Sequence, residues 1–397
     1  MTAAPLTGIR VVSVEQYGAG PFGSAYLADM GAEIIKIETP GTGDSARQSG
    51  PYFLGDNDSH FYQTFNRSKR SLTLNLKTDD GRRILRELAA TADAVMNNLR
   101  GDQPAKLGLT YAEFRDLKPS LVCLHLSGYG RTSERATWPA YDYLMQAEAG
   151  FMDITGEPDG PPTRMGLSII DYLSGITAAF SLTAAMLGAS RTGTGRDVDV
   201  TLYDVAMHQL TYPAAWHLNA DAVVERRPRS GHPSIVPCET FPTANGHIFV
   251  MCVLPKFWEA LCHVLELPEL IDDARFHSNK DRRQNRDALA AILDAAFVKQ
   301  PTETWIGRLS GRVPVAPVLS IGDALSNPYA IETGAIETIA HPNAPDGLSL
   351  MASPIRLDGE RPTSTAAPKL GADTDAVLSE LGYEQAEIAR LRAAGVV

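Results

Sequence analysis

The first two hundred residues alternate between two hydrophobic patterns. Short apolar runs bounded by polar or glycine-containing segments predict buried β-strands. The longer segments between them carry apolar residues at helical spacing or are rich in small residues, which predicts helices. Strands that alternate with helices form a parallel sheet covered on both faces, so the pattern predicts a doubly wound α/β fold. The predicted strands are residues 9–15, 33–38, 71–77, 94–99, 121–128 and 196–204, and the predicted helices are residues 20–30, 78–92 and 171–187.

The pattern changes near residue 226, where a basic segment that contains proline begins. An Asn-Gly turn between two strand-like runs, followed by charged helices over 255–310, predicts a smaller α+β domain. Strand signals then return, and two short helices end the sequence. We therefore predict a large domain at 1–225 that is completed by 335–397, and a small domain at 226–334. The segment 335–397 is expected to return from the small domain and pack on the large one.

Composition and charge limit the kinds of partner. The chain has 397 residues, a hydrophobic share of 44%, a charged share of 21% and a formal net charge of −11. This charge argues against nucleic acid as a partner, because binding to a phosphate backbone needs a continuous basic surface. The N-terminal third nevertheless collects basic residues around its predicted loops, which suits a small polyanion.

The sequence shows neither a signal-peptide pattern nor a run of 18 apolar residues, so we expect a cytoplasmic protein that has no membrane partner. Its four cysteines lack the spacing that is typical of metal ligands, and three of them lie in strand-like apolar runs. We expect these cysteines to be reduced, buried and structural, and we predict no metal site.

Three glycines, Gly18, Gly20 and Gly23, form the pattern GxGxxG between the first predicted strand and the first predicted helix. In that position the pattern is typical of dinucleotide binding, so an NAD-dependent oxidoreductase is one hypothesis. Pro21 weakens this hypothesis, because proline has no backbone N–H to donate to a pyrophosphate. The other interpretation is that the glycines let the helix pack closely on the sheet. The motif alone leaves both interpretations open.

Several segments in a fixed order, spread over nearly the whole chain, resemble one family. They are QYGAGP (16–21), GAEIIKIE (31–38), GTGD (41–44), FNRSKRSLTLNLK (65–77), LSGYG (126–130), YDYLMQAEAG (141–150), DYLSGITAA (171–179), TGTGRDVDVTLYD (192–204), PVAPV (314–318) and LGADTDAVL (370–378). On these segments the chain resembles the family III coenzyme A transferases, whose superfamily includes formyl-CoA transferase, carnitine CoA-transferase and α-methylacyl-CoA racemase.

The resemblance carries expectations for the fold and the partners. It implies a Rossmann-like large domain, a smaller α+β domain, and a homodimer in which two chains are interlocked. It also implies an acyl-CoA and a free carboxylic acid as partners. Coenzyme A would then be the substrate and carrier, and no cofactor would be permanently bound.

The resemblance places Asp171 at the position of the family's nucleophile. A carboxylate that attacks an acyl-CoA thioester gives a mixed anhydride and CoA thiolate, and the thiolate then forms an aspartyl-CoA thioester. Asp171 begins a predicted helix, whose dipole favours the ionised, nucleophilic form. Gly166 and Gly175 are expected to leave room for the thioester. From the residues alone, the alternative is that Asp171 only caps the helix.

The resemblance also implies which residues contact coenzyme A. Two positions depart from formyl-CoA transferase, because Thr39 stands where that enzyme has an arginine and Ser127 where it has a lysine. We do not expect phosphate contacts at these two positions. The positions that match are Gln16, Tyr17, Gly18, Ala19, Lys69, Asn98, Leu99 and Lys106. For the two lysines, the alternative is an ordinary solvated side chain.

Within the superfamily, the alternative reaction is racemisation of an acyl-CoA by proton transfer at the α-carbon. The racemase uses a histidine upstream of its aspartate and a glutamate in its small domain. Tyr141 and Leu254 occupy those positions here, and neither is a base at neutral pH. We therefore predict an acyl-CoA:carboxylate CoA-transferase, and the presence of Asp171 disfavours a CoA-binding protein without turnover. Arg47 and Arg164 suggest that the acid has a second carboxylate.

Overall fold

The computed structural model describes residues 3–397, which form two compact units. The first unit comprises the chain up to Ala149, Met165–Ala214 and Tyr329–Val397, and the second comprises Gly150–Arg164 and Ala215–Pro328. These limits differ from the predicted domains, because Gly150–Arg164 and residues 215–225 lie with the second unit and residues 329–334 lie with the first. The Arg226 guanidinium donates hydrogen bonds to the carbonyl groups of Met152 (2.9 Å), Asp153 (2.7 Å) and Gly160 (2.7 Å), and it thereby ties Gly150–Arg164 to the second unit. The functional roles assigned to the two domains stay predictions.

The predicted strands appear in the predicted order, together with short strands at Phe53–Gly55, Asp58–Ser59 and Val315–Pro317 that the sequence did not predict. They are β1 Arg10–Val14, β2 Glu33–Glu38, β3 Phe53–Gly55, β4 Asp58–Ser59, β5 Arg70–Thr73, β6 Ala94–Asn97, β7 Val122–Ser127, β8 Arg196–Thr201, β9 Cys238–Pro242, β10 His247–Met251, β11 Val315–Pro317, β12 Ile336–His341 and β13 Ala344–Met351. Most of the predicted strands are slightly shorter in the structure, and two of them end at least three residues before the predicted end. β5 ends at Thr73, because the N–H of Asn75 donates to the carbonyl of Val396 (2.8 Å) in the C-terminal segment. β8 ends at Thr201, whose hydroxyl accepts the N–H of Asp204 (2.8 Å) and caps the next helix.

The helices cover the sheet and build much of the second unit. They are α1 Ala19–Asp29, α2 His60–Asn66, α3 Asp79–Thr91, α4 Gln103–Lys106, α5 Tyr111–Phe114, α6 Asp142–Glu148, α7 Phe151–Ile154, α8 Ile169–Thr192, α9 Leu202–Gln209, α10 Thr211–Ala220, α11 Pro255–Val264, α12 Glu269–Asp272, α13 Asn279–Gln284, α14 Arg286–Phe297, α15 Thr302–Leu309, α16 Ile321–Leu325, α17 Pro328–Glu332, α18 Thr374–Glu380 and α19 Gln385–Ala393. The three helices predicted in the first two hundred residues correspond to α1, α3 and α8. Short 3₁₀ turns occur at Ser45–Gln48 and Pro228–Ser230.

The first unit contains a parallel sheet of six strands in the order β5-β2-β1-β6-β7-β8. Numbered along the chain, this is the 3-2-1-4-5-6 order of a Rossmann fold. Side chains of successive strand residues point to opposite faces, so Val11 and Val12 of β1 enter different cores. Val12 packs with α3 and with the C-terminal helices, including Val377 and Ile388. The predicted α/β fold with a parallel central sheet is confirmed.

Helices α1 and α8 touch backbone to backbone. A Cβ added at Gly23 would lie 2.5 Å from the carbonyl oxygen of Gly175, and one added at Gly175 would lie 2.6 Å from that of Ala19. Gly23 therefore does serve close packing, but the predicted partner is wrong, because Gly23 lies against helix α8 and not against the sheet. The role predicted for Gly175 is wrong, because α1 fills the space beside it. Gly166, in contrast, has open space around it.

By length and composition alone, α8 could cross a membrane, since its mean hydropathy reaches 1.4. Its contacts are those of a core helix, because it packs on α1, β7 and β8 and buries residues such as Ala178 and Leu182. Its other side carries exposed apolar residues, among them Phe180 and Leu187. We therefore describe α8 as a helix of the first unit's core with one uncovered apolar side.

The second unit is built around the antiparallel sheet β11-β10-β9. The predicted Asn-Gly turn joins β9 to β10, and there the N–H of Thr243 donates to the carbonyl of Gly246 (2.9 Å). Helices α11, α14 and α15 supply a core that includes Phe241, Trp258 and Phe297. The predicted hairpin and the predicted helices that follow it are confirmed.

Candidate active site

The central pocket of the first unit lies at the carboxyl ends of β1 and β6. These strands are neighbours, but the chain continues from β1 toward one edge of the sheet and from β6 toward the other. Ligands of doubly wound sheets bind at such a reversal. The pocket has a volume of about 230 Å³. Its wall is formed by Gln16–Ala19, Asn98–Arg100, Leu126–Gly128, Trp138–Tyr141, Asp171 and Leu202.

The turn that follows β1 is fixed by a side-chain amide at the end of β6. The N–H of Gln16 donates to Oδ1 of Asn98 (2.9 Å), and Nδ2 of Asn98 donates to the carbonyl of Gln16 (2.7 Å). Tyr17 follows with a φ of 67°, a left-handed conformation that is unfavourable for a residue with a side chain. Contacts from elsewhere in the fold, and not local preference, therefore hold this turn.

Gly18 brings this turn against the carboxylate of Asp171. A Cβ added at Gly18 would lie 2.6 Å from Oδ2 of Asp171, so a larger residue does not fit without a shift. The first intrahelical hydrogen bond of α1 runs from the N–H of Phe22 to the carbonyl of Gly18 (2.9 Å). The N–H groups before Phe22 have no acceptor within the helix, so the positive end of α1 faces the pocket beside Asp171.

Asp171 is the third residue of α8, and a different aspartate caps that helix. Oδ2 of Asp142, at the start of α6, accepts the N–H groups of Ile170 (2.6 Å) and Asp171 (3.0 Å). Oδ1 of Asp142 accepts Nε2–H of Gln146 (2.6 Å). The interpretation of Asp171 as a helix cap is therefore wrong, because Asp142 fills that role. This leaves the carboxylate of Asp171 directed to the pocket.

The carboxyl group of Asp171 is mostly buried, and it accepts no hydrogen bond from any residue between 3 and 397. Burial and then the neighbouring Asp142 carboxylate raise its pKa from 3.8 to about 7. These effects outweigh the helix dipole, which is typically worth about 0.3–1 kcal/mol. The expectation that the dipole favours a fully ionised group is thus corrected: both forms coexist near neutral pH. The ionised form is poorly solvated, which favours its attack on a carbonyl carbon.

Comparisons with known proteins identify the family of the chain. The profile of CoA-transferase family III matches residues 6–374. The chain belongs to this family. It is 33% identical to the succinyl-CoA:glutarate CoA-transferase of Mus musculus, over 99% of this chain and 90% of that protein. It is 35% identical to the acetyl-CoA:oxalate CoA-transferase of Acetobacter aceti, over 96% of this chain and 97% of that protein.

A solved structure gives the same assignment. The crystal structure of a CAIB/BAIF family protein from Brucella suis superposes with a TM-score of 0.83 at 30% identity, and it covers 96% of this chain and 100% of that one. The protein is therefore a family III enzyme that transfers coenzyme A. This decides against a nicotinamide oxidoreductase, since the glycines of the fingerprint serve close contacts with Asp171, Asn98 and α8.

Six of the eight residues predicted to contact coenzyme A in this family III enzyme lie on the pocket wall together with Asp171. They are Gln16, Tyr17, Gly18, Ala19, Asn98 and Leu99. The fold explains why residues far apart in sequence meet there, because the carboxyl ends of parallel strands share one edge of the sheet. Their contacts with coenzyme A stay a prediction.

Lys69 lies beneath the pocket and not on its wall. Its buried ammonium group donates to Oε1 of Glu15 (2.8 Å), the carbonyl of Pro21 (3.0 Å) and Oδ1 of Asn66 (3.1 Å). Burial lowers the pKa of Lys69 to about 8. Since all three N–H directions are used inside the protein, Lys69 is neither a ligand contact nor a solvated lysine in this structure. It holds the first turn of α1 against the end of β1.

Lys106 lies beside the pocket. Arg100, one of the basic residues of the N-terminal third but not one of the predicted coenzyme A contacts, lies on the pocket wall. The Lys106 ammonium donates to Oδ2 of Asp102 (2.6 Å), and Nε–H of Arg100 donates to Oδ1 of the same carboxylate (2.6 Å). Arg100 lines the pocket and directly follows the predicted Asn98 and Leu99. Two cations around one carboxylate leave a net positive charge at the edge of the pocket, which suits a polyanion.

The two arginines that suggested a dicarboxylic acid lie outside the pocket. Arg47 is buried and donates to both carboxylate oxygens of Glu38 (2.8 and 2.7 Å) and to the Tyr62 hydroxyl (2.6 Å). Its guanidinium is thus used inside the first unit, and the predicted contact with the substrate is wrong. Arg164 belongs to the second unit. Ser127 does line the pocket, and its hydroxyl accepts the N–H of Gly130 (3.0 Å).

Proposed function

We propose that this enzyme moves coenzyme A from an acyl-CoA to a dicarboxylic acid through covalent intermediates on Asp171. The observation that supports the proposal most directly is the state of the Asp171 carboxylate. It faces the pocket beside Gly18, accepts no hydrogen bond within residues 3–397, and has a pKa raised to about 7 by burial and by Asp142. Such a carboxylate is poised for nucleophilic attack at neutral pH.

The proposed sequence of steps balances without any other reagent. A carboxylate oxygen of Asp171 attacks the thioester carbon, the C–S bond breaks, and CoA thiolate leaves behind a mixed anhydride. The thiolate attacks the Asp171 carbonyl, which gives an aspartyl-CoA thioester and releases the donor acid. The acceptor carboxylate attacks this thioester, and the released thiolate then attacks the acceptor's carbonyl carbon. This forms the new acyl-CoA and restores Asp171, so coenzyme A is a substrate and carrier.

Each attack builds negative charge on a carbonyl oxygen. The N–H groups of Ala19 and Gly20 precede the first hydrogen bond within α1, and we propose that they stabilise this oxyanion. Ala19 lines the pocket next to Gly18, which is in contact with Asp171. One such donor is typically worth about 2.7–4 kcal/mol of transition-state stabilisation.

The relatives guide the choice of acid. The two CoA-transferases compared above are named for glutarate and oxalate, which both carry two carboxylates. Arg100 is the cation on the pocket wall, and only one of its sides is occupied by Asp102. We propose that Arg100 attracts either the second carboxylate of the acid or a phosphate of coenzyme A.

We also propose an interlocked homodimer in the cytoplasm. Ile176, Phe180 and Leu187 form an apolar stripe on α8 with exposed fractions of 41%, 74% and 52%. A soluble chain normally covers a stripe of this kind, and a second copy is the simplest partner. Sedimentation at nanomolar concentration should show only dimer, and a stable folded monomer would contradict this part of the proposal. The location is a separate proposal, supported by the four free and buried cysteines.

The covalent step is tested by giving the enzyme an acyl-CoA without an acceptor. We expect an adduct at Asp171 that hydroxylamine or borohydride traps, and no entry of solvent deuterium at the α-carbon of a 2-methylacyl-CoA. Racemisation gives the opposite result on both measurements, because its bases remove that hydrogen directly. Tyr141, at the position of the racemase histidine, lies on the wall of the same pocket as Asp171. Rapid deuteration without a trappable adduct would contradict the proposed function.

A further inference from the structure

Six charged side chains lie together beneath the pocket turn, and all are at most 6% exposed. We call them the buried charge cluster: Glu15, Lys36, Glu38, Asp44, Arg47 and Lys69. Three are anions and three are cations, so the cluster is neutral as a whole. Burying so many charges is costly unless each is paired, and packed apolar residues are often as stable. The presence of the cluster at this place therefore calls for a role other than stability.

One ion pair of the cluster holds the backbone of the pocket turn. Nζ of Lys36 lies 2.8 Å from Oδ2 of Asp44, and neither side chain is exposed. The same ammonium donates to the carbonyl of Glu15 (3.0 Å), and Oδ1 of Asp44 accepts the N–H of Tyr17 (3.0 Å). The pair therefore forms hydrogen bonds with the backbone on both sides of Gln16.

Together with Asn98, the pair fixes every backbone polar group between the carbonyl of Glu15 and the N–H of Tyr17. Asn98 holds the N–H and carbonyl of Gln16, and the ion pair holds the groups on either side. Tyr17 has a φ of 67°, which a non-glycine residue adopts only when its surroundings impose it. Gly18, which follows Tyr17, contacts Asp171.

We propose that Asp44 and Lys36 are positioning residues for the transfer reaction: as a buried ion pair they hold Tyr17 in its left-handed conformation and so place Gly18 and the start of α1 against Asp171. This inference rests on the proposed function, because it concerns the geometry of the same nucleophile. Neither side chain lines the pocket of Asp171, so both act through the backbone of the turn.

The first test replaces Asp44 by asparagine. The amide Nδ2–H of Asp44→Asn faces the ammonium of Lys36, and these two donors repel each other, so the turn loses its anchor. We expect the limiting rate of adduct formation in single turnover to fall at least about tenfold, while the half-saturating acyl-CoA concentration changes less than about threefold. Unchanged limiting rate would overturn the proposal.

A matched control separates positioning from stability. Asp29 and Arg67 form another buried ion pair of the first unit, with Oδ2 of Asp29 2.7 Å from Nη2 of Arg67 and side-chain exposures of 2% and 10%. Asp29 is the last residue of α1, at the end away from the pocket. Asp29→Asn should lower the melting temperature as Asp44→Asn does, but keep the limiting rate within about twofold. Equal losses of rate in both variants would overturn the proposal.

A second variant keeps the test decisive if the single substitution folds poorly. The double substitution Lys36→Met with Asp44→Leu replaces the ion pair by apolar groups, which removes the burial of unpaired charge. We expect it to melt closer to the unaltered enzyme than Asp44→Asn does and still to react at least about tenfold more slowly. Recovery of both stability and rate would show that the pair only neutralises charge.

A double-mutant cycle tests the link to Tyr17. Glycine adopts positive φ without strain, so Tyr17→Gly should make the anchor less necessary. The loss caused by Asp44→Asn should then be at least about threefold smaller in the Tyr17→Gly background. Equal losses in both backgrounds would contradict an action through Tyr17.

Hydrogen exchange gives a readout that does not depend on the reaction. The amide hydrogen of Tyr17 should exchange faster in Asp44→Asn and at the unaltered rate in Asp29→Asn. If the unaltered enzyme forms no adduct on Asp171, the proposed function fails, yet this exchange pattern still decides whether the ion pair holds the turn. Unchanged exchange in Asp44→Asn would overturn the positioning role alone.

Discussion

Two neighbouring regions of the first unit shift the pKa values of their buried carboxylates in opposite directions. In the buried charge cluster, burial would raise the pKa of Glu38, but the hydrogen bonds and charge of Arg47, together with Lys36, lower it to about 2. At the start of α8, burial also raises the pKa of Asp171, and within residues 3–397 the charged group that shifts it further is another carboxylate, Asp142, so the value reaches about 7. The surroundings, and not the depth of burial, set these carboxylates apart.

The difference separates a structural carboxylate from a reactive one. The carboxylate of Glu38 accepts hydrogen bonds from the Arg47 guanidinium, the Ser71 hydroxyl and the N–H of Asp44. The lone pairs of Asp171 remain available for bonding, and burial destabilises its charged form. Bond formation with a thioester uses a lone pair and removes the buried charge. We expect each perturbation below to reveal this contrast, from the largest effect to the smallest.

The largest effect is expected when the nucleophilic carboxylate of Asp171 is replaced by an amide. Asp171→Asn keeps the size of the side chain and the cap from Asp142, so coenzyme A exchange should slow at least about a thousandfold while the fold and CoA binding remain. Asp204 is a matched control, because it is also the third residue of a helix, α9, but is exposed. Asp204→Asn should keep the normal rate. Exchange by Asp171→Asn within about tenfold of normal would contradict the assignment.

The next effect is on stability, and it depends on pH. Because the folded pKa of Asp171 is raised from 3.8 to about 7, its charged form destabilises the folded state. Asp171→Asn should therefore match the unaltered enzyme below about pH 4 and gain stability as the pH rises to about 7, reaching on the order of 2–4 kcal/mol. Urea unfolding at pH 5 and pH 8 measures this gain. Equal stabilities at pH 8 would show that burial is not what perturbs this group.

A smaller loss is expected from a methyl group at the contact itself. In Gly18→Ala the added Cβ would lie 2.6 Å from Oδ2 of Asp171, so the turn or the carboxylate must shift. The rate of adduct formation should fall at least about tenfold with little change in melting temperature. Gly307→Ala, in α15, is the control, since nothing lies within 4 Å of its added Cβ. A rate close to normal in Gly18→Ala would mean that this contact does not matter for attack.

The smallest effect is a shift along the pH axis. Asp142→Asn keeps an oxygen to cap α8 but removes the negative charge that helps raise the pKa of Asp171. The pH midpoint of single-turnover adduct formation should therefore move toward acid, while burial keeps it above the value of an ordinary aspartate. A midpoint that stays in place or moves toward alkaline pH would contradict the repulsion between the two carboxylates.

Most of the sheet could be predicted from sequence, because its strands are short apolar runs with helical segments between them. The EIIKIE run predicted β2 with its observed limits, and the amphipathic pattern predicted α3 to within a residue at each end. The errors occur where tertiary contacts redirect the chain. The segment after Thr73 alternates like a strand, but the backbone of Asn75 pairs with Val396 at the far end of the chain.

The site could be predicted in part for the same reason. Residues that directly follow β1 and β6 met in one pocket, since both strands end at one edge of the sheet. The fates of Lys69 and Arg47 could not be read from sequence, because a basic residue that binds a ligand and one that neutralises a buried carboxylate look alike there. The role of Asp142 as the cap of α8 could not be read from sequence, because the N–H groups that it accepts, those of Ile170 and Asp171, lie 28 and 29 residues further along the chain.

The contact between Gly23 and Gly175 has a consequence for how this enzyme can change its substrate. The two helices that carry the turn and the nucleophile meet without side chains between them, so neither can approach more closely or accept a larger residue at the crossing. This part of the pocket wall must stay unchanged, because it places the turn beside the nucleophile. A second part of the wall, Trp138–Tyr141, belongs to the loop between β7 and α6 and includes the half-exposed Trp138 and the exposed Tyr141. We therefore expect substitutions that alter the choice of acid to fall on this second part of the wall, and a search for new acceptor acids should begin there.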